Sequence, residues 1–224
     1  MNAMASIEDG VRLLDQNRYE EALQTFLSVD LNPQEYPELS YYLGLSFTNL
    51  GRYDEAVLYL EQVVGSDDDF SHVYQGRMLL GYIYTITERP RLAEFEFSRL
   101  LEEGFESAKV HAALAHVQYA QGKTSASIVQ LERALEVDPD NPTALNSIGY
   151  IMADNGIRLQ AALSYCKKAV EASPENPAYL DSLGWAYFKL GNTAEARRYL
   201  KQAHDKAPEN EEITEHWDAV RRVS

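Results

Sequence analysis

Apolar residues recur along this chain with a long, nearly constant period. Pairs of a large apolar residue and a small one return about every 34 residues, and these are Leu43-Gly44, Leu80-Gly81, Leu114-Ala115, Ile148-Gly149 and Leu183-Gly184. Around each pair, the apolar residues follow the three- and four-residue steps of one helix face. The pattern predicts a stack of helix–turn–helix units, in which each unit buries its apolar face against its neighbours.

Start and stop signals divide the chain into six such units. Asn141-Pro142 and Asn176-Pro177 place a capping side chain before a proline at the first helical position. Residues that tolerate a left-handed conformation stand where the first helix of a unit must end, namely Asn17, Gly51, Gly122, Gly156 and Gly191. We predict one solenoid over residues 3–210, with units starting near 3, 37, 74, 108, 142 and 177, and a capping helix and tail over 211–224.

The unit that starts at Pro177 resembles a known repeat. Its spaced residues are Leu180, Leu183-Gly184, Tyr187, Gly191, Ala196, Leu200, Ala203 and Pro208. This pattern is similar to the tetratricopeptide repeat (TPR), and weaker copies of it cover residues 3–210. The resemblance implies an all-α, right-handed solenoid that serves as a non-catalytic protein–protein interaction scaffold. The last two units resemble bacterial repeats, which suggests a role in envelope assembly or secretion.

In the TPR family, positions 2, 5, 9, 12 and 13 of each first helix line a concave groove. The resemblance therefore implies a partner-binding site at Tyr41, Tyr82, His116, Tyr119, Tyr150, Trp185 and Phe188. Two interpretations stay open: the rings pack against adjacent helices, or they form an exposed trough for a peptide or an amphipathic helix. Positions 5 and 6 never carry Lys or Arg, so we do not expect the carboxylate clamp of co-chaperone members.

The charge of the chain limits its partners. The net charge is −15, and residues 1–110 contain 20 acidic residues against 8 basic ones. We expect no nucleic-acid partner, because phosphates require Lys and Arg. We also expect no direct membrane insertion, because no apolar run approaches the ~20 residues that a membrane-spanning helix needs. Self-association through the convex face or the capping helix remains an alternative function.

Motifs that carry chemistry are missing from the sequence. It has no Gly-rich phosphate loop, no Gly-x-Ser-x-Gly and no His-Glu-x-x-His. Its single cysteine, Cys166, stands at a core position of its unit, and we interpret the acidic run Asp67–Asp69 as a solvated loop. We therefore expect no catalytic residue, no metal and no cofactor.

The compartment is not readable from the sequence, since a single cysteine forms no disulfide within the chain. The start Met1-Asn2-Ala3-Met4 resembles a vector remnant. We therefore leave the localisation open between a cytoplasmic protein, for the sequence as it stands, and a periplasmic or lipid-anchored one, if an N-terminal signal was removed.

Overall fold

The computed structural model of the protein describes residues 5–30, 36–65 and 70–223. The acidic loop Asp67–Asp69 and the start Met1–Met4 lie outside these ranges. The described residues form thirteen α-helices: α1 (Ile7–Asp15), α2 (Tyr19–Leu27), α3 (Tyr36–Asn49), α4 (Tyr53–Val64), α5 (Phe70–Ile86), α6 (Pro90–Glu102), α7 (Ala108–Ala120), α8 (Thr124–Val137), α9 (Pro142–Asp154), α10 (Leu159–Ala172), α11 (Pro177–Lys189), α12 (Thr193–Lys206) and α13 (Glu211–Arg221). The predicted all-α solenoid fold is confirmed.

Two compact units divide the described chain, the first reaching to Phe105 and the second starting at Glu106. In the first unit, α1 packs on α2, α3 on α4 and α5 on α6. In the second unit, α7 packs on α8, α9 on α10 and α11 on α12, and α13 packs on both α11 and α12. That the whole stretch 3–210 forms one domain stays a prediction.

The first helix of five of the six helix pairs ends at the left-handed residue that the sequence predicts. Gly51 has φ 71° and Asn17 has φ 58°, both in the left-handed region. The amide of Arg52 donates to the carbonyl of Phe47 at 2.9 Å, which closes the Schellman-type turn. The predicted caps at Asn141 and Asn176 are confirmed as well, since both side chains accept hydrogen bonds from backbone amides of the helices that follow.

Small residues set the distance between paired helices. A Cβ added to Gly149 of α9 would lie 2.5 Å from Cys166 Sγ and 3.0 Å from both the carbonyl oxygen of Ala162 and the amide nitrogen of Cys166, all on α10. The two helices therefore pack almost backbone to backbone, and the absence of a side chain at this position permits it.

An ion-pair cluster is buried in the first unit. The guanidinium of Arg77 on α5 donates to Glu96 on α6 at 2.9 Å and to Glu103 at 3.0 Å. Arg77 and Glu96 are both buried. Burial raises the pKa of the Glu96 carboxyl, and the hydrogen bond from Arg77 opposes that rise.

Candidate functional site

A half-open pocket of about 300 Å³ lies in the second unit. The first helices of its three helix pairs and the start of α13 supply most of its lining. The lining residues that they supply are His116 and Tyr119 from α7; Asn146, Ser147, Tyr150 and Ile151 from α9; Ala178, Asp181 and Ser182 from α11; and Asn210, Glu212 and Ile213 from the start of α13. Helical spacing explains the set, because residues three and four apart on one helix share a face. The pocket brings together three of the seven residues predicted for the site, namely His116, Tyr119 and Tyr150.

Asp154, at the end of α9, joins two of the predicted aromatic residues. The hydroxyl of Tyr119 donates to Asp154 Oδ2 at 3.1 Å, and Trp185 Nε1 donates to Asp154 Oδ1 at 3.1 Å. The ammonium of Lys189 lies 3.5 Å from the same carboxylate. Both rings are thus held in fixed orientations by a residue that the sequence analysis did not select.

Trp185 is covered on one face by α13. The His216 ring stacks on it with a centroid distance of 4.0 Å and an interplanar angle of 16°. Phe188 stacks at 5.1 Å, and the Lys189 ammonium lies 4.8 Å from the centre of the Trp185 ring. Trp185 and Phe188 are therefore half-buried within the unit, and much of the apolar area expected of an open trough is already in contact with the protein itself.

Tyr150 lines the pocket and contacts α13. Its hydroxyl donates a short hydrogen bond to the carboxylate of Glu212 on α13. Burial, followed by this contact with Glu212, raises the pKa of Tyr150 well above the ordinary range. The phenol is therefore neutral at physiological pH and acts as a hydrogen-bond donor.

Tyr41, one of the seven residues predicted for the site, is packed within the first unit rather than exposed. Only 8% of its surface is exposed, because its ring packs at 5.1 Å from Tyr42 and at 4.8 Å from His72. Burial raises the pKa of Tyr41 to about 12. Tyr82 also belongs to the first unit, but 52% of its surface is exposed. Of these two residues of the first unit, only Tyr82 is available to a partner.

The pocket also contains a buried acidic residue that the sequence analysis did not choose. Asp181 Oδ2 lies 2.8 Å from Nδ1 of His216, and 6% of the Asp181 side chain is exposed. Burial raises the pKa of the Asp181 carboxyl, and the hydrogen bond to His216 opposes that rise. Asp181 and Asn146 occupy the same position in successive repeats, so a search of the repeat columns for polar residues, rather than rings, would have found both.

Cys166, the single cysteine of the chain, lies in the core of the second unit. Cys166 is buried, and burial raises the pKa of its thiol to about 12, which keeps it protonated at neutral pH. Within residues 5–30, 36–65 and 70–223, His, Cys, Asp and Glu side chains form no group of three that could hold a metal ion. Among the same residues, no helix is both long and apolar enough to cross a membrane.

Family models match most of the chain. Models described as tetratricopeptide repeat match residues 7–70 and 157–215, and one described as TPR repeat matches residues 107–156. The chain belongs to the TPR family. A curated relative, the TPR repeat-containing protein PA4667 of Pseudomonas aeruginosa, is 33% identical over 115 residues. The match spans half of this chain but only a fifth of that relative's length.

Solved TPR structures share the fold. The crystal structure of the MamA protein has a TM-score of 0.66 and 21% identity, over 78% of this chain and 93% of MamA. YrrB, described as a TPR protein with an unusual peptide-binding site, has a TM-score of 0.63 and 20% identity, over 94% of this chain and 98% of YrrB. These similarities show the fold.

Proposed function

We propose that this TPR protein is a non-catalytic scaffold that binds a peptide or an amphipathic helix of a partner protein at the pocket of the second unit. The observation that carries this proposal is the pocket itself, which is half-open and lined by oriented Tyr hydroxyls and by polar groups from three consecutive repeats. Pockets that combine aromatic walls with a few fixed polar groups are the usual form of binding sites. The peptide-binding site described for YrrB supports a similar use of this fold.

Selection of a random-peptide phage library on the full chain tests the proposal. Peptides that are enriched would be labelled, and their dissociation constants measured by fluorescence anisotropy. A Tyr119→Ala/Tyr150→Ala double variant should bind at least about tenfold more weakly, because buried Tyr residues carry much of the energy of such contacts. Far-ultraviolet circular dichroism would first establish that the variant is as helical as the wild type.

Tyr82→Ala is the matched control, since it removes an exposed ring from the first unit. Its affinity should stay within about twofold of the wild type. If Tyr82→Ala lost binding and the double variant kept it, the site would lie in the first unit and the proposal would be wrong. Partner proteins captured from lysate by the wild type and lost by the Tyr119→Ala/Tyr150→Ala double variant would indicate whether the pathway is envelope assembly, secretion or another process.

Self-association is the second candidate function, and apolar exposure in the first unit favours it. Leu58 on α4 is 62% exposed and Phe95 on α6 is 56% exposed. On α13, by contrast, Ile213 and Val220 are buried within the second unit. Sedimentation velocity over a range of concentrations, with Leu58→Glu/Phe95→Glu as the comparison, tests this function. A concentration-independent monomer would exclude it.

A further inference from the structure

Asp154 connects three consecutive repeats of the second unit. It is the last residue of α9, and its carboxylate accepts one hydrogen bond from Tyr119 on α7 and another from Trp185 on α11, both at 3.1 Å. The donors lie 35 positions before it and 31 positions after it, so each bond crosses from one repeat to the next. A single side chain therefore ties the first helices of all three repeats together.

Further contacts strengthen this tie. The Lys189 ammonium donates to the backbone carbonyl of Asp154 at 3.0 Å, and Asn155 Nδ2 donates to the Tyr119 hydroxyl at 3.4 Å. Burial raises the pKa of the Tyr119 phenol, which therefore keeps the proton that it donates to Asp154. The Asp154 side chain is 34% exposed, so water screens its charge and the hydrogen bonds contribute more than the Coulomb attraction.

The position of Asp154 is unfavourable for α9 considered alone. The carboxylate lies at the C-terminal end of the helix, where the helix dipole is negative. The last turn of α9 contains no basic residue, so the compensating cation, Lys189, comes from α11. An aspartate that destabilises its own helix is explained by its contacts with the neighbouring repeats.

The tie and the pocket share the same three helices. The pocket is lined by α7, α9 and α11, and Tyr119 itself belongs to the lining. Trp185 supports the opposite side, because its ring stacks on His216, which is bonded to the lining residue Asp181. Loss of the tie would free the Tyr119 ring and allow the three helices to change their spacing.

We infer that Asp154 is a positioning residue of the peptide site, which holds Tyr119 and Trp185 so that the pocket has its binding shape before a peptide arrives. This inference rests on the proposed function, since the peptide is the ligand for which the pocket is shaped. Groups that are already fixed lose less conformational freedom on binding, and the affinity is higher for it.

Two substitutions separate positioning from charge. Asp154→Ala removes both acceptor atoms, and it should weaken binding of the phage-selected peptides about tenfold. Asp154→Asn can keep both bonds, because its Oδ1 accepts from Trp185 while its Nδ2 donates to the Tyr119 hydroxyl. We expect it to bind within about threefold of the wild type. Glu171→Ala, which removes the same charge from an exposed position of α10, is the control and should change affinity less than about twofold.

The indole proton of Trp185 supplies a readout without any peptide. The chain has two tryptophans, so a 15N-labelled sample gives two indole N–H signals, which Trp185→Phe assigns. Asp154→Ala should move the Trp185 signal upfield and leave that of Trp217 in place, because a hydrogen bond to a carboxylate deshields the proton. Asp154→Asn should move it less, and Glu171→Ala should move neither signal.

The outcomes distinguish this inference from the proposed function. If Asp154→Ala bound the peptides as tightly as the wild type while Tyr119→Ala/Tyr150→Ala lost them, the inference would fail and the function would stand. Equal losses for Asp154→Ala and Asp154→Asn, or an unmoved Trp185 signal, would also overturn it. Should Asp154→Ala lose helicity, Tyr119→Phe takes its place, since it removes only the hydroxyl that Asp154 binds, and wild-type affinity would then refute the inference. If no peptide were enriched, both would fail.

Discussion

Replacing Gly149 by alanine tests how closely α9 and α10 are packed. The new Cβ would lie 2.5 Å from Cys166 Sγ and 3.0 Å from two backbone atoms of α10, the carbonyl oxygen of Ala162 and the amide nitrogen of Cys166. The thiol can rotate away, but the backbone atoms can retreat only if the helices separate. Such overpacking typically costs 1–3 kcal/mol.

The opposing term is the helix propensity of alanine. It favours Gly→Ala by about 1 kcal/mol within a helix. Two backbone contacts place the clash toward the upper part of its range, so we expect Gly149→Ala to lower the free energy of unfolding of the second unit by about 1–2 kcal/mol. Substitutions at closely packed interiors usually fall in this range.

Urea unfolding measures the effect. Both tryptophans of the chain, Trp185 and Trp217, lie in the second unit, so their fluorescence reports on its unfolding, and circular dichroism reports on the helices of the whole chain. Gly76→Ala is the matched control, because its new Cβ would meet only side-chain atoms, the nearest being Val64 Cγ1 at 3.3 Å. We expect it to raise stability by up to about 1 kcal/mol, because the gain in helix propensity meets no backbone clash, and circular dichroism reads this change, since Gly76 lies in the first unit. A Gly149→Ala protein as stable as the wild type would refute the reasoning.

Three further predictions concern charge and backbone strain. Arg77→Met should destabilise the first unit by about 3–5 kcal/mol at pH 7, because it leaves the buried Glu96 carboxylate unpaired; calorimetry that showed no loss would contradict this. Glu88→Gly should raise the stability of the same unit by about 0.5–1 kcal/mol, because Glu88 is held at φ 56°; a lower thermal midpoint would exclude strain at this turn. Burial raises the pKa of Asp181, so its contribution to stability is complete below the pKa of an exposed aspartate, about pH 4, and is lost as the pH rises through its folded-state pKa. Asp181→Asn should flatten that decline in tryptophan-monitored urea titrations, and an unchanged slope would assign the decline to other groups.

The sequence was sufficient to predict the helix ends, because these depend only on residues within one repeat. Helix ends at Gly51 and Asn17 follow from backbone preferences, and the structure shows them where the pattern places them. Glu88 has no such preference, yet it adopts the same conformation. The amide of Arg89 bonds the carbonyl of Tyr84 at 2.7 Å, which closes the turn as the glycine-containing turns are closed. Here the packing of the paired helices requires the left-handed conformation, although glutamate adopts it at a cost in free energy.

The candidate site depended on contacts that the sequence does not specify. The sequence allows the Tyr41 ring to face either a groove or the interior. In the structure it lies in the interior, because it packs against Tyr42 and His72. The helical spacing of α13 predicts that the helix forms, but not that His216 lies on Trp185. Each outcome involves a contact between residues about thirty positions apart, Tyr41 with His72 and Trp185 with His216, whose approach depends on the packing of whole helices.

The position of α13 ties the pocket to the number of repeats. Glu212 reaches Tyr150 and His216 reaches Asp181 because α13 follows α12 directly and occupies the place where another repeat would begin. Duplication of a repeat between α12 and α13 would carry these two residues away and dismantle the pocket, even though every helix kept its sequence. Insertion of a repeat at this boundary is therefore incompatible with the pocket, and any lengthening that preserves the pocket has to occur outside the stretch from α7 to α13.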